Sequence, residues 1–203
     1  MEKGAVFPLF YLPNIEFFKN LSQYKDLTVL IEKDEHYPKQ TFRNRTQIAG
    51  PNGQLDLTVP IQKRINERRN YKDVKISYED NWQRIHWLSL ETSYRSSAYF
   101  EFYEDAFLPF YQKKYEFLFD YNMEFFTTIL KLIKLPIAFQ MTTSYEAIYE
   151  DLADFRSIIV PNKASNYQNK PYFQVFEDRN SKLNNISIVD LLFNQGPQAA
   201  KFF

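Results

Sequence analysis

Apolar and polar positions divide the chain into a strand-rich first part and a helix-rich remainder. Ala5 to Phe10 reads as a short buried strand that Leu12-Pro13 ends. Asn14 is placed to cap a helix through about Tyr24, with Ile15, Phe18 and Leu21 on one side. Leu27 to Ile31 is a second buried strand, so the opening predicts a short parallel βαβ unit. A hairpin follows at about 41–60. Phe42, Asn44, Thr46 and Ile48 alternate with Arg43, Arg45, Gln47 and Ala49, and Leu55, Leu57 and Val59 alternate with Asp56, Thr58 and Pro60. A two-residue turn at Asn52-Gly53 pairs Ile48 with Leu57, whereas a four-residue turn pairs Ile48 with Leu55. Both leave the apolar set on one face and the two arginines on the other.

Arg64 to Lys72 has no apolar period and reads as a polar loop, with Val74 to Ser77 returning as a strand. Helical spacing then covers Asp80–Tyr94, Tyr99–Tyr111 and Glu116–Leu132, with Pro109 expected to bend or end the second. Beyond Pro136, Ile137–Met141 predicts a late strand, and Thr142 or Ser144 the cap of a helix to about Asp154. Tyr172–Phe176 predicts a strand and Ile186–Asn194 a helix stopped by Gly196-Pro197. No linker separates two autonomous units. The expected fold is one α/β domain over 1–203, a small mixed sheet (βαβ opening plus hairpin) followed by a helical lobe, strand-rich over 1–78 and helix-rich over 79–203.

Composition narrows the function classes. At 203 residues, with 44% hydrophobic and 18% aromatic residues, the chain can bury a real core and is not a disordered polymer. Lys plus Arg and Asp plus Glu both number 25, which argues against nucleic acid as a partner of the whole domain. With no cysteine, disulfides, thiol nucleophiles and Cys-ligated metals are excluded. The apolar stretches fall well short of the ~20 residues of a membrane span, and the N-terminus lacks a signal-peptide pattern. A cytoplasmic globular protein is expected. Charge is nonetheless polarised: Lys63, Arg64, Arg68, Arg69, Lys72 and Lys75 make one stretch basic, while the helical region is acidic. Phe202-Phe203 either tucks into the core or makes a homo-oligomer contact.

No Gly-rich phosphate loop, nucleophile elbow or dinucleotide fingerprint is present. Arg43 and Arg45, two apart on a predicted strand, would leave the same face roughly 7 Å apart, a spacing for clamping a phosphate or carboxylate; the alternative is a solvated face paired to acids. Asn44, on the apolar face, either locks the neighbouring loop or faces a ligand. His36, near Glu32, Asp34 and Glu35, has no metal-motif spacing, so neither metal nor other cofactor is expected. His86 lies one turn beyond Trp82 and next to Trp87, surroundings that favour a neutral, base-competent imidazole; the alternative is a half-buried histidine bonded to a carbonyl.

The motifs Tyr11-Leu12-Pro13, Lys39 to Arg45, Ile48 to Gly53 and Leu57-Thr-Val-Pro60 resemble the WbqC-like family. So do Trp82-Gln-Arg-Ile-His-Trp87, Tyr94, Tyr99-Phe100 and Ile186 to Asn194. One departure stands out: where many members carry a His-Gln-Pro run before the Tyr-Leu-Pro, this chain has Phe7-Pro8-Leu9-Phe10. The resemblance implies a bacterial cytoplasmic protein of O-antigen or other surface-polysaccharide biosynthesis, and a transferase acting on a sugar precursor by acyl or aminoacyl (glycine) transfer. On that reading His86 is the general base. Arg43, Asn44, Arg45, Tyr11, Lys39 and Trp82 contact an anionic or sugar substrate. The alternative is a non-catalytic module that binds a sugar nucleotide or a protein.

Overall fold

Among the described residues the α-helices and strands run in the order β1 (Gly4–Phe7), α1 (Ile15–Ser22), β2 (Thr28–Ile31), β3 (Arg45–Gly50), β4 (Gly53–Thr58), α2 (Trp82–Tyr94), α3 (Phe100–Gln112), α4 (Leu118–Leu132), β5 (Gln140–Met141), β6 (Leu152–Asp154) and α5 (Ile188–Gln195). The computed structural model describes residues 2–63, 68–161 and 165–203.

β1 is buried along its whole length and carries a parallel partner on each side. β2 pairs with it from Gly4↔Thr28 to Phe7↔Ile31, and β6 from Gly4↔Leu152 to Val6↔Asp154. β5 flanks β2, giving the order β5-β2-β1-β6 with all neighbours parallel. Gly4 permits the β1–β2 approach, since a Cβ there would run into the Thr28 carbonyl. The expected βαβ opening is therefore formed. α1 is capped by Asn14, whose side chain accepts from Phe17 N at 3.2 Å, and it buries Ile15, Phe17, Phe18 and Leu21.

The hairpin is a separate two-stranded sheet rather than part of the parallel one. Its register sets Ile48 opposite Leu55 and Gly50 opposite Gly53, leaving Pro51-Asn52 as the turn. Thr46, Ile48 and Leu57 face the core; Leu55 is 37% exposed. The helical lobe packs aromatic on aromatic: Phe110 stacks on Phe125 at 3.8 Å between ring centroids, and Phe107 meets Phe193 of α5 at 5.1 Å. Such pairs add about 0.5–1.5 kcal/mol each beyond the area they bury. Pro109 does not end α3, because it lies in the last turn, where its own carbonyl still accepts from Lys113 N at 2.9 Å. α5 stops at Gly196 (φ 54°), where a Cβ would sit 2.5 Å from the Tyr99 ring. Phe202 and Phe203 pack against Tyr172 and Phe18.

Three predicted elements differ. Thr142 to Asp151 forms no helix; Tyr145 and Ile148 are 51% and 78% exposed there, so no apolar stripe is buried to hold one, and Leu152–Asp154 joins the sheet instead. Tyr172–Phe176 has no strand partner, and Tyr172 hydrogen-bonds to Asp190. Val74–Ser77 makes only the isolated bridges Ile61↔Ile76 and Lys75↔Phe117. Arg64, the start of the predicted polar loop, lies outside the described residues.

Candidate functional site at the carboxyl edge of the sheet

All four strands of the parallel sheet end on the same edge. The chain adds β2 and then β5 on one side of β1 before crossing to place β6 on the other. The crevice beyond the ends of β1 and β6 is thus a topological switch point, the place where open α/β sheets bind ligands.

The residues just past the strands build a buried charge network there. Glu32 follows β2 and is fully buried; its carboxylate accepts from Arg156 Nη1 at 3.1 Å, Thr142 Oγ1 at 2.9 Å and Asp34 N at 2.9 Å. Thr142 follows β5, and Arg156 comes two residues after β6. Arg156 also donates to Asp154, by Nε at 3.0 Å and Nη2 at 2.5 Å, and to the carbonyls of Glu146 and Ala147. Its own carbonyl accepts from Arg43 Nη2 at 3.1 Å, and Arg43 grips Glu35 through Nε at 2.6 Å and Nη2 at 2.8 Å. Buried charges persist only when paired and hydrogen-bonded in this way. Burial pushes the Glu35 carboxyl up, with the Arg43 fork opposing it. Burial also acts on Asp154, but the Arg156 hydrogen bonds outweigh it and hold that carboxyl below its usual range. Acids driven in opposite directions within one site are the pattern of an acid–base pair.

Two cavities open on this edge. One, of about 360 Å3, is lined by Glu35, His36, Thr41, Arg43, Asp154 and Arg156 among others. The second, of about 390 Å3, lies between the start of α1, Gln47 of β3 and the approach to α5, and Glu16, Ser165, Tyr167 and Asn185 line it. Val160 lines both. Each falls within the roughly 300–1,000 Å3 of small-molecule sites.

The residues singled out from sequence are dispersed relative to this crevice. Arg43 belongs to it, but sits in the turn before β3, buried and held by Glu35, Thr41 and the Arg156 carbonyl. Arg45 opens β3 opposite Thr58 and is half-buried, its Nε without a partner among the described residues. The two arginines therefore do not form a clamp on one strand face. Asn44 is buried and donates Nδ2 to the Val59 carbonyl at 2.9 Å, tying the start of the hairpin to its end. Lys39 is exposed in a turn. Tyr11, His86 and Trp82 lie together in the core and line neither cavity. His86 Nδ1 is 2.9 Å from Tyr11 OH, which is 3.0 Å from Tyr111 OH; the Trp82 ring packs on His86 edge-on at 5.1 Å. Burial lowers the His86 pKa to about 4, and a hydrogen bond with the Thr58 backbone opposes the shift. Burial favours the neutral imidazole, as its neighbours suggested, and its Nδ1 is engaged by Tyr11.

Sequence reading did not single out Glu16, Asp154, Arg156 or Asn185. The available signal was positional: an acid immediately after an apolar strand, as at Ile31-Glu32, marks a carboxyl edge. For Arg156 no such signal exists, because the three residues of β6 carry no alternation that announces a strand.

An α/β chain whose crevice lies at the switch point of a parallel sheet is the class these features define. The chain belongs to the WbqC-like protein family, whose model matches residues 10–181. It is similar to the uncharacterised protein Rv1507c of Mycobacterium tuberculosis, 30% identical over 111 residues that make up 55% of this chain and 47% of that one. The match thus spans about half the length of the curated relative. No solved structure matches. Phe7, at the end of β1, stacks on Phe155, just after β6, at 4.5 Å between ring centroids. Among the described residues no helix is long and apolar enough to cross a membrane.

Proposed function

We propose that the protein is a transferase acting on a sugar or surface-polysaccharide precursor by acyl or aminoacyl transfer, with its reacting centre in the carboxyl-edge crevice. The observation that carries this reading is the pair of cavities meeting at Val160, one lined by amides and hydroxyls and the other by acids of opposed pKa. An attacking hydroxyl or amine loses a proton as it bonds to the acyl carbon of an activated ester or thioester, and the leaving group takes a proton as it departs. A carboxyl group pushed upward in pKa is suited to carry that proton. Glu35 takes this role in place of His86, which is buried and lines neither cavity; each Glu35 oxygen keeps a lone pair beyond its bond to Arg43. With no cysteine in the chain, direct transfer suits the site better than a thioester on the enzyme.

A second reading, a binding module without turnover, draws on the donors of Arg43 and Arg156 being committed to protein partners. One experiment addresses both. In a thermal-shift panel of nucleotide sugars and acyl donors, a ligand at a hundredfold excess over its Kd adds about 2.7 kcal/mol. Val160→Trp, which puts an indole at the one residue lining both cavities, is expected to weaken or remove the shift. A shift that survives the substitution places the site elsewhere. A shift with no turnover of any donor selects the module.

A further inference from the structure

A third cavity, of about 540 Å3, lies between the end of α4 and the segment that leads into β5, and it shares no lining residue with the two at the carboxyl edge. Its volume again suits a small molecule. Leu130 and Leu135, both buried, and Ile137 and Phe139, both half-buried, supply its apolar wall. The Phe139 ring packs on Phe126 at 5.4 Å between centroids, so the core holds that side of the wall in place. Lys131 and Lys134 also line the cavity, and both are exposed. The lysine ion pairs of the described residues are made by Lys3, Lys25, Lys72, Lys75, Lys113 and Lys182, not by these two. The turn that ends α4 sets the leucines and the lysines side by side. Its outer hydrogen bond joins Leu135 N to Leu130 O at 3.0 Å, and its inner one joins Lys134 N to Lys131 O at 3.1 Å. Lys134 is left-handed there, φ 55°, at a position that glycine usually fills because a Cβ opposes that conformation. The helix dipole accounts for a cation in the last turn, but not for a lysine at the left-handed position or for an apolar cavity beside it.

We propose that this cavity binds a single-chain aliphatic carboxylate, its chain against Leu130, Leu135, Ile137 and Phe139 and its head group at Lys131 and Lys134. The apolar wall takes the chain out of water, in proportion to the area covered. Two ammonium groups give one carboxylate charge-assisted hydrogen bonds. A neutral chain would leave the lysines without an anion, and a short anion would leave the wall wet. The site goes beyond the transfer reaction proposed above and does not rest on it.

The test is an amide NMR titration of the full chain with hexanoate, octanoate, octanol and octylammonium, each kept monomeric. Octanoate is expected to shift amides within 127–139 and to bind roughly threefold or more tighter than octanol, the effect of two exposed cations. Lengthening hexanoate to octanoate should tighten binding roughly fivefold, against about fifteenfold for two fully buried methylenes. Octylammonium should bind more weakly than octanol, since it brings a like charge to the lysines. The double variant Lys131→Gln with Lys134→Gly should bind octanoate no tighter than octanol while its octanol affinity stays at the wild-type value. Lys134→Gly alone places glycine where the backbone is left-handed, so its melting temperature should equal or exceed that of the wild type, and its octanoate affinity should fall roughly two- to fivefold. That variant keeps the test valid if the double one misfolds. Octanol or octylammonium binding as tightly as octanoate overturns the proposal. So do octanoate shifts centred outside 127–139, or wild-type octanoate affinity in Lys134→Gly and in the double variant. Recruitment to anionic phospholipid vesicles with no response to monomeric octanoate also overturns it, in favour of a membrane surface.

Discussion

Replacing Arg156 with methionine is expected to destabilise the protein by about 3–5 kcal/mol, because it leaves a buried carboxylate without its cation. Glu32 is fully buried and would keep only Thr142 Oγ1 and Asp34 N as donors. Asp154 contributes less, since its side chain is 37% exposed and water replaces part of what Arg156 supplied. The Glu146 and Ala147 carbonyls also lose their donors, so the segment leading into β6 should loosen with the network. For a chain of this size the loss corresponds to a melting temperature lower by roughly 10 °C. The double variant Arg156→Met with Glu32→Gln removes both charges and should be clearly more stable than the sum of the single effects. A single variant within about 1 kcal/mol of wild type, or strict additivity, would show that water reaches Glu32 and that the network is not a lock.

The second large effect is a pair of opposing pH dependences. His86, nearly fully buried beside Tyr11, has its pKa lowered from 6.5 to about 4 by burial. Its folded pKa lies below its unfolded value, so its contribution is complete above 6.5 and is lost as the pH falls toward 4. The loss amounts to about 3 kcal/mol. Asp190 of α5 is also fully buried. Burial raises its carboxyl from 3.8 to about 6, against hydrogen bonds from Tyr172 and Gln174. This acid's folded pKa lies above its unfolded value, so its contribution is complete at 3.8 and below and is lost as the pH rises through 6. The magnitude is again about 3 kcal/mol. Between pH 4 and 6 the two groups nearly offset each other. Urea midpoints at pH 4.5 and 7 should separate them by substitution. His86→Gln, which can still accept from Tyr11 and donate to Thr58, should gain stability toward acid relative to wild type. Asp190→Asn should lose it. Equal pH slopes in all three proteins would mean that neither group titrates differently on folding.

Where local pattern coincided with tertiary role, the chain was legible. Ile15, Phe18 and Leu21 recur at helical spacing behind Asn14, and the helix is there with that residue as its cap. The hairpin's apolar positions at Thr46, Ile48 and Leu57 face the core in the register that sets Ile48 opposite Leu55. β6 was not legible, because three residues have too little alternation to announce a strand, and this one exists through its pairing with Gly4–Val6. Arg43 was misplaced for a related reason. Alternation continues through Phe42 to Gln47 in the sequence, but the chain turns at Thr41 to Asn44, and the side chain enters the core toward Glu35. The charge network and the Glu16–Asn185 pair depend on contacts between residues more than a hundred positions apart, such as Glu32 with Arg156, which no periodicity encodes. The Tyr11–His86 contact, 75 positions apart, is also non-local, and the sequence signal there, a histidine among aromatic rings, marks a core cluster away from the crevice.

The crevice at the carboxyl edge is the proposed ligand site, and amide hydrogen exchange of the full chain with and without its tightest-binding sugar or nucleotide sugar tests that directly. Slowed exchange over 158–161 and 183–187, with 82–94 unchanged, is the predicted result. Protection centred on the segment around His86, with the crevice loops unaffected, would contradict it.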